Sequence, residues 1–265
     1  MRYIVDHDFH IHSNLSPCSG DPEQTPELIL QYAIHNGFKR ICLTDHYWDA
    51  NVPGSNGWNE VLNLEHLSKN LPLPQAEGVE FLFGCECEMD KHFTISIAKE
   101  NYDKFDFIIV STTHMHNIGF TIDEKDDNPK DRARLWVERF DAVLNSDLPF
   151  HKVGIAHLAS THMAPGPREV YLETLENIPS AEMERLFGRA AELGIGIEIN
   201  RSDMHFSDDE ADIVMRMFRI AKAMGCKFYM GGDLHRQITP FKDGTVHFER
   251  GVELLGLTED DKFHF

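Results

Sequence analysis

The chain lacks any apolar run long enough to span a bilayer, so no helical membrane anchor lies within it. It is short of basic residues: 25 Lys and Arg stand against 44 Asp and Glu, a formal charge of −19. Nucleic-acid backbones are gripped by Lys and Arg, so a nucleic-acid partner is not expected. The five cysteines, at 18, 42, 85, 87 and 226, are odd in number and lack the spacing of a disulfide framework. No leader pattern of basic then apolar residues opens the sequence, and a reducing cytoplasm is the expected setting. No Gly-rich dinucleotide or P-loop fingerprint follows the first apolar run, which disfavours a nucleotide-binding open sheet. Low-complexity tracts, internal repeats and linkers are missing too, so one domain over 1–265 is expected. Nothing in the sequence speaks to oligomeric state.

What is present is strand–helix alternation on a chain that is 42% hydrophobic, enough for a sizeable core. Apolar, β-rich runs near 3–9, 40–45, 80–87, 105–112, 152–158, 195–199 and 227–232 predict seven strands. Helices lie between them. "TPELILQYAIHNG" has Thr25 to cap it, Pro26 in its first turn and Gly37 to stop it. "SDDEADIVMRMFRIAKAMG" opens on a Ser207/Glu210 capping box and stops at Gly225. Ser180 is placed as the cap of a helix ending at Gly194, another follows Pro129 over 130–145, and weaker candidates lie near 59–70 and 248–255. Such alternation implies crossover connections and a parallel α/β sheet, closed or open.

Sixteen dispersed histidines are the compositional oddity. Their positions relative to the strands are more telling than their number. His10 and His12 end the first strand, His46 in "LTDH" the second, Glu86 in "FLFGCECEM" the third. His114 in "IIVSTTH" ends the fourth, His157 in "VGIAHLA" the fifth, and Asp233 and His235 in "YMGGDLH" the seventh. C-terminal strand ends of a parallel α/β fold share one face. Residues i and i+2 of a strand point the same way, so His10 and His12 aim both imidazoles at one cavity. Eight such groups at the same end of six strands predict a metal site, because ions offset the cost of burying them. Cys85 and Cys87, flanking Glu86, should face the opposite way, into packing. Asp45, Asp8 and Asn200 are expected to support the ligands. His116 is expected in a supporting or exposed position, and His151, His162, His205 and His247 on the surface.

In this order, "DFHIHS", "LTDH", "GCECE", "STTH", "IAHLA", "IEIN" and "GGDLH" resemble the PHP family of polymerase and histidinol phosphatase domains. The resemblance implies a distorted seven-stranded (β/α)7 barrel, TIM-barrel-like, with two or three divalent metals (zinc, iron or manganese) at the strand ends. By position, His10, His12, Glu86 and Asp233 would hold one metal. Glu86 would bridge to a second, completed by His114 and His157, and His46 and His235 would hold a third. Cys18 stands where another third-site histidine is usual, and a thiolate suits zinc. The implied activity is hydrolysis of a small phosphomonoester, histidinol phosphate being one family substrate, by a metal-activated hydroxide. Arg236 and Arg201 are the best-placed arginines for a clamp on the phosphoryl group, with Arg168 a third. The leaving-group acid stays open between Asp233, His235 and a metal-bound water.

Three other functions are compatible with parts of the pattern. An exonuclease or oligonucleotide phosphodiesterase would share the fold, against the charge balance. An amidohydrolase-like C–N hydrolase also begins with His-x-His, but "STTH" offers no lysine at the fourth strand end. A domain that binds metal without turnover would keep the same ligands.

Overall fold

The computed structural model describes residues 1–236 and 244–265. The chain runs β1 (His7–Ile11), α1 (Pro26–Asn36), β2 (Arg40–Leu43), β3 (His46–Tyr47), α2 (Leu64–Leu67), β4 (Glu80–Phe83), β5 (Cys85–Cys87) and β6 (Ile108–Val110). It continues through α3 (Pro129–Leu144), β7 (Val153–Ile155), α4 (Arg168–Asn177), α5 (Ser180–Leu193) and β8 (Gly196–Asn200). The last elements are α6 (Ala211–Val214), α7 (Arg216–Ala223), β9 (Lys227–Gly231) and α8 (Val246–Leu255). Every pairing between these strands is parallel, as the crossover pattern requires.

The seven expected strands are nine among the described residues, in a sheet ordered β1-β2-β4 and another ordered β3-β5-β6-β7-β8-β9. Two expected strands are each broken in two. At 44–45 side chains take over from the ladder: Ile11 N donates to Thr44 Oγ1 (3.1 Å) and Ser13 N to Asp45 Oδ1 (2.7 Å). At Gly84 a Cβ would meet the Phe107 carbonyl at 2.5 Å and Cys42 Sγ at 2.7 Å, so only glycine lets the backbones approach this closely. The two sheets meet where the segment after β9 returns to β1. There Asp233 N donates to His10 O (2.7 Å) and His12 N to Leu234 O (2.9 Å).

Register decides which side chains point inward. Asp8 pairs with Ile41 and Ile11 with Leu43, three steps on β1 against two on β2. This bulge lets Phe9 join an inner apolar cluster with Cys42, Leu82, Phe107, Ile109, Ala156 and Tyr229. The adjacent His10 is freed to join the polar groups nearer the strand ends. The larger core lies between strands and helices and takes in Cys85 and Cys87, as alternation predicts.

Most helix ends follow the sequence signals. Thr25 accepts from Leu28 N, and Gly37 takes the left-handed conformation. Ser207 and Glu210 form their capping box, but the segment opens with a 3-10 turn and is interrupted at Met215. Ser180 is the first helical residue of α5, with Pro179 in the cap position. Helix α4 was not anticipated: Pro167 precedes it and no side chain caps it.

One residue of α3 braces the loops that carry the site. The fully buried Arg139 donates to the carbonyls of Thr112 (2.6 Å), Thr121 (2.9 Å), Met89 (2.8 Å) and Asp90 (3.1 Å). Burial lowers its pKa to about 10, so it remains charged at neutral pH. Arg139→Ala leaves these carbonyls without partners, at ~1–3 kcal/mol each. We expect a thermal midpoint lower by roughly 8–16 °C in scanning calorimetry, the equivalent of ~4 kcal/mol, the low end of that sum. A shift under a degree would show that water replaces the guanidinium at no cost.

Candidate metal centre

The chain places the strand-end residues around one carboxylate. Glu86, fully buried on β5, has Oε1 3.0 Å from His157 Nε2, 3.5 Å from His10 Nε2 and 3.8 Å from His114 Nε2. Its Oε2 lies 2.9 Å from His46 Nδ1 and 3.3 Å from His12 Nε2. Asp233 Oδ1 is 3.2 Å from His12 Nε2 and 3.5 Å from His10 Nε2. His235 stacks on His12 with ring centroids 4.1 Å apart. All eight strand-end residues therefore converge.

Among the described residues, four sets of possible ligand atoms lie within 4.8 Å of one another: His10/His12/Glu86, Glu86/His114/His157, His10/His157/Asp233 and His12/His46/His235. These sets follow from distance alone and cut across the implied division at two points. His12 also belongs with His46 and His235, and Asp233 reaches His157. Glu86 Oε2 and His46 Nδ1 are buried 2.9 Å apart without a hydrogen bond between them. A buried acceptor and ring nitrogen left in this state suit a cation between them.

Electrostatics agree with that fit. Burial disfavours the charged form of His10, yet Glu198, Glu86 and Asp233 hold its pKa well above the usual value. His46 is raised in the same way, against burial, by Glu86 and Cys18, and His157 to about 9, mainly through its bond to Glu86. Glu86 stays far below the usual carboxylate range in spite of burial, held there by His46 and His10. Asp233 does likewise through His10 and His12. In the metal-free protein, His10, His46 and His157 thus favour their protonated forms beside these carboxylates.

Two of these residues carry unusual backbone. His157 (φ 33°) and Asp233 (φ 50°) are non-glycine residues in the left-handed region, just past β7 and β9. Gly232 precedes Asp233 where a Cβ would meet Asp8 Oδ2 at 2.5 Å. Asp8 fixes that approach: Gly232 N (2.8 Å) and His10 N (3.2 Å) donate to its Oδ1, and Tyr32 OH to its Oδ2.

A family model, the PHP domain, matches residues 8–202. The chain belongs to the PHP domain family. Its chemistry is accordingly metal-dependent phosphoester hydrolysis. Histidinol phosphate phosphatase (HisK) of Lactococcus lactis subsp. lactis Il1403, solved with zinc, L-histidinol and phosphate, shares the fold. It is 19% identical with a TM-score of 0.67, over 99% of this chain and 95% of that one. The putative histidinol phosphatase HisK of Listeria monocytogenes is 12% identical with a TM-score of 0.64, over 91% of this chain and 99% of that one. No curated protein matches the sequence.

Around the candidate ligands, this PHP domain has a second ring of polar groups, of which the two most important went unread in the sequence. Glu88 sits 2.8 Å from His114 Nδ1 and 3.2 Å from His46 Nδ1. Glu198 on β8 accepts from His157 N (2.5 Å) and lies 2.7 Å from His10 Nδ1. A carboxylate on the far nitrogen of an imidazole fixes its tautomer and raises its basicity as a ligand. Alternation was the available signal, since Glu88 follows Glu86 by two and Glu198 precedes Asn200 by two. Thr113 Oγ1 meets His157 Nδ1 at 2.8 Å, and Ser111 donates to Glu86.

Several supporting residues have other tasks than expected. Asp45 accepts from Ser13 and Ser16 instead of touching His46, and Ser16 Oγ lies 3.2 Å from His12 Nδ1. Asn200 donates to Glu198 (3.1 Å), so it supports a supporter. Arg168 is ruled out as a phosphoryl clamp by its two-pronged pairing with Glu210 (2.7 and 2.8 Å).

A cavity of about 400 Å³ opens onto the centre, bounded by Trp58, Asn56, Asn117, His116, His162 and Cys18. The exposed Cys18 lies beside His46 but outside the four ligand sets. His162 is exposed, as expected, and so is His116; their tilted rings lie 4.5 Å apart at the mouth of this cavity. Partial desolvation by the cavity walls and the other site histidines press His116 down to about 3 and His162 to about 4, so both rings are neutral at pH 7. Arg201 and Arg236 line a different cavity of about 370 Å³, behind the turn that carries Asp233 and His235.

Proposed function

We propose that this PHP domain, one unit over 1–265, hydrolyses a small phosphomonoester. In this reading His10, His12, Glu86 and Asp233 hold one divalent ion, Glu86, His114 and His157 a second, and His46, His12 and His235 a third beside Cys18. The observation that carries it is Glu86, whose two oxygens face different groups of imidazoles, as a carboxylate shared between cations must. The bound metals supply charge neutralisation at the phosphoryl oxygens and a water acidified towards neutral pH.

The chain's own residues set the geometry for that chemistry. Glu88, Glu198, Thr113 and Ser16 each meet the second nitrogen of a ligand histidine, which fixes how its ring is turned. Asp233 and His235 serve as ligands in this scheme and not as proton donors. Asp233 is held ionised, and burial beside His12 lowers His235 to about 3, leaving its ring neutral. The cavity by Trp58 and His162 admits the organic part of the substrate to the centre. Its asparagines and neutral imidazoles hydrogen-bond hydroxyl and ring nitrogen groups without demanding a charge.

To test this, the protein is purified without chelator, its metals are counted by mass spectrometry, and phosphate release is followed. We expect two or three ions per chain, turnover of an aryl phosphate and of small phosphomonoesters, and loss of turnover with EDTA. Faster cleavage of oligonucleotides than of any phosphomonoester would turn the assignment to a nuclease. Metal-loaded protein inert on a broad phosphoester panel would leave a metal-binding domain without turnover.

Metal uptake should depend on pH in a defined direction. Binding needs neutral imidazoles, and in the metal-free protein His157 keeps its proton until about pH 9. Affinity measured against a chromophoric chelator should therefore rise from pH 6 to 9, by up to about tenfold per unit for each proton displaced. The metal-free fold runs the other way. The stability that His157 gains from Glu86 is complete below its unfolded pKa and is lost as pH rises through about 9. A pH-independent metal affinity would contradict the ligand assignment.

A further inference from the structure

The second cavity, behind the turn that carries Asp233 and His235, has a charge the rest of the surface does not lead one to expect. It is lined by Arg201, Arg236, His205, His247 and Ser202, with Asp233 and His235 as the wall it shares with the metal-side cavity. Elsewhere in this acidic chain the arginines are engaged. Among the described residues, Arg2, Arg40, Arg132, Arg134, Arg168, Arg185, Arg189, Arg219 and Arg250 pair with carboxylates. Arg139 and Arg216 donate to several backbone carbonyls each. Among the described residues the Arg201 side chain has no such partner, and Arg236 has one long bond, to Ser19 O at 3.3 Å. In a chain with 44 acidic side chains, two guanidiniums left without a carboxylate among the described residues suit an anionic ligand in the hollow they line.

We infer that Arg201 and Arg236 form a second oxyanion subsite, which holds a phosphate or carboxylate group at the far end of a substrate whose phosphomonoester lies at the metal centre. The inference rests on the phosphatase reading and narrows it to substrates with two anionic groups. Arg201 follows directly from β8, and its backbone N–H donates to Gly231 O (3.0 Å), which ties the root of the side chain to β9. Arg236 is tied through Ser19, whose hydroxyl donates to His235 O and whose carbonyl accepts from the Arg236 guanidinium. Both cations are thus carried on backbone fixed to the wall between the cavities. His205 and His247, with rings 5.2 Å apart, complete the lining. Burial and Arg201 lower the pKa of His247, so it offers a neutral donor or acceptor beside the two charges.

The test uses non-hydrolysable ligands on the metal-loaded protein. Isothermal titration compares α,ω-alkane bisphosphonates of two to six carbons with alkyl monophosphonates of equal length. The best bisphosphonate is expected to bind at least about tenfold tighter than its monophosphonate. R201A and R236A should each remove most of that gain, with R201K keeping part, and circular dichroism reporting that the variants fold. A matched pair of substrates, pentyl phosphate and 5-phosphonooxypentanoate, asks whether carboxylate as well as phosphate is accepted. Equal affinity for mono- and bisphosphonates at every length, or a gain untouched in R201A, overturns the subsite. If no phosphomonoester is turned over but R201A weakens binding of the monophosphonate itself, the subsite stands and the phosphatase reading falls.

Discussion

Glu86→Gln is expected to lower phosphate release by roughly 10³-fold or more and to cost at least one bound metal per chain. The substitution keeps the shape of the side chain and replaces one oxygen by an amide that carries hydrogens. Either orientation is wrong. If the amide nitrogen takes the Oε1 position, it faces His10, His114 and His157; if it takes the Oε2 position, it faces His12 and His46. No orientation leaves acceptors on both sides, so the two groups of imidazoles no longer share an anion. Metal content by mass spectrometry and kcat for an aryl phosphate, both at saturating metal, are the measurements. A variant that retains wild-type metal content and kcat would remove Glu86 from the mechanism, and with it the shared-carboxylate arrangement.

Glu198→Ala should damage both fold and metal binding, although the residue is in none of the four ligand sets. Its carboxylate, fully buried, serves His10 Nδ1, the backbone amide of His157 and the Asn200 side chain. The space for it is reserved by Gly231, where any Cβ would collide with a Glu198 oxygen. Truncation leaves an imidazole and an amide unpaired in the interior, at about 3–5 kcal/mol, or a thermal midpoint lower by on the order of 10 °C. Freed of its partner, His10 is no longer fixed in ring orientation, and metal affinity should weaken roughly 10–100-fold. Glu198→Gln restores an acceptor without the charge and should recover most of the stability but less of the affinity. If the alanine variant melts and binds zinc like the wild type, Glu198 is passive filling.

The sequence by itself determined the chemistry of this centre. Histidines and acids at the ends of apolar runs, His10 with His12 and Asp233 with His235, are costly wherever they are buried. Their placement relative to the strands is local information, legible because side chains alternate along a strand. The same holds for the Thr25 and Ser207 caps, which act within one turn of helix. Glu88 and Glu198 obeyed the same alternation and were within reach of it. Helix α4 was not, because Pro167 offers no capping side chain, and neither were the breaks at Thr44–Asp45 and Gly84, which follow from contacts between strands.

Tertiary structure alone decided the rest. His162, exposed as expected, lines the mouth of the cavity from a short turn after β7, a placement that nothing in its neighbours in sequence foretells. Arg201 and Arg236, each beside a polar strand end, both suggested a clamp at the phosphoryl group, yet the fold puts them behind the turn that holds Asp233 and His235. A residue's preference for strand, cap or metal is written in its own atoms and those of near neighbours. Which cavity a side chain enters depends on groups far along the chain, and only packing brings those together.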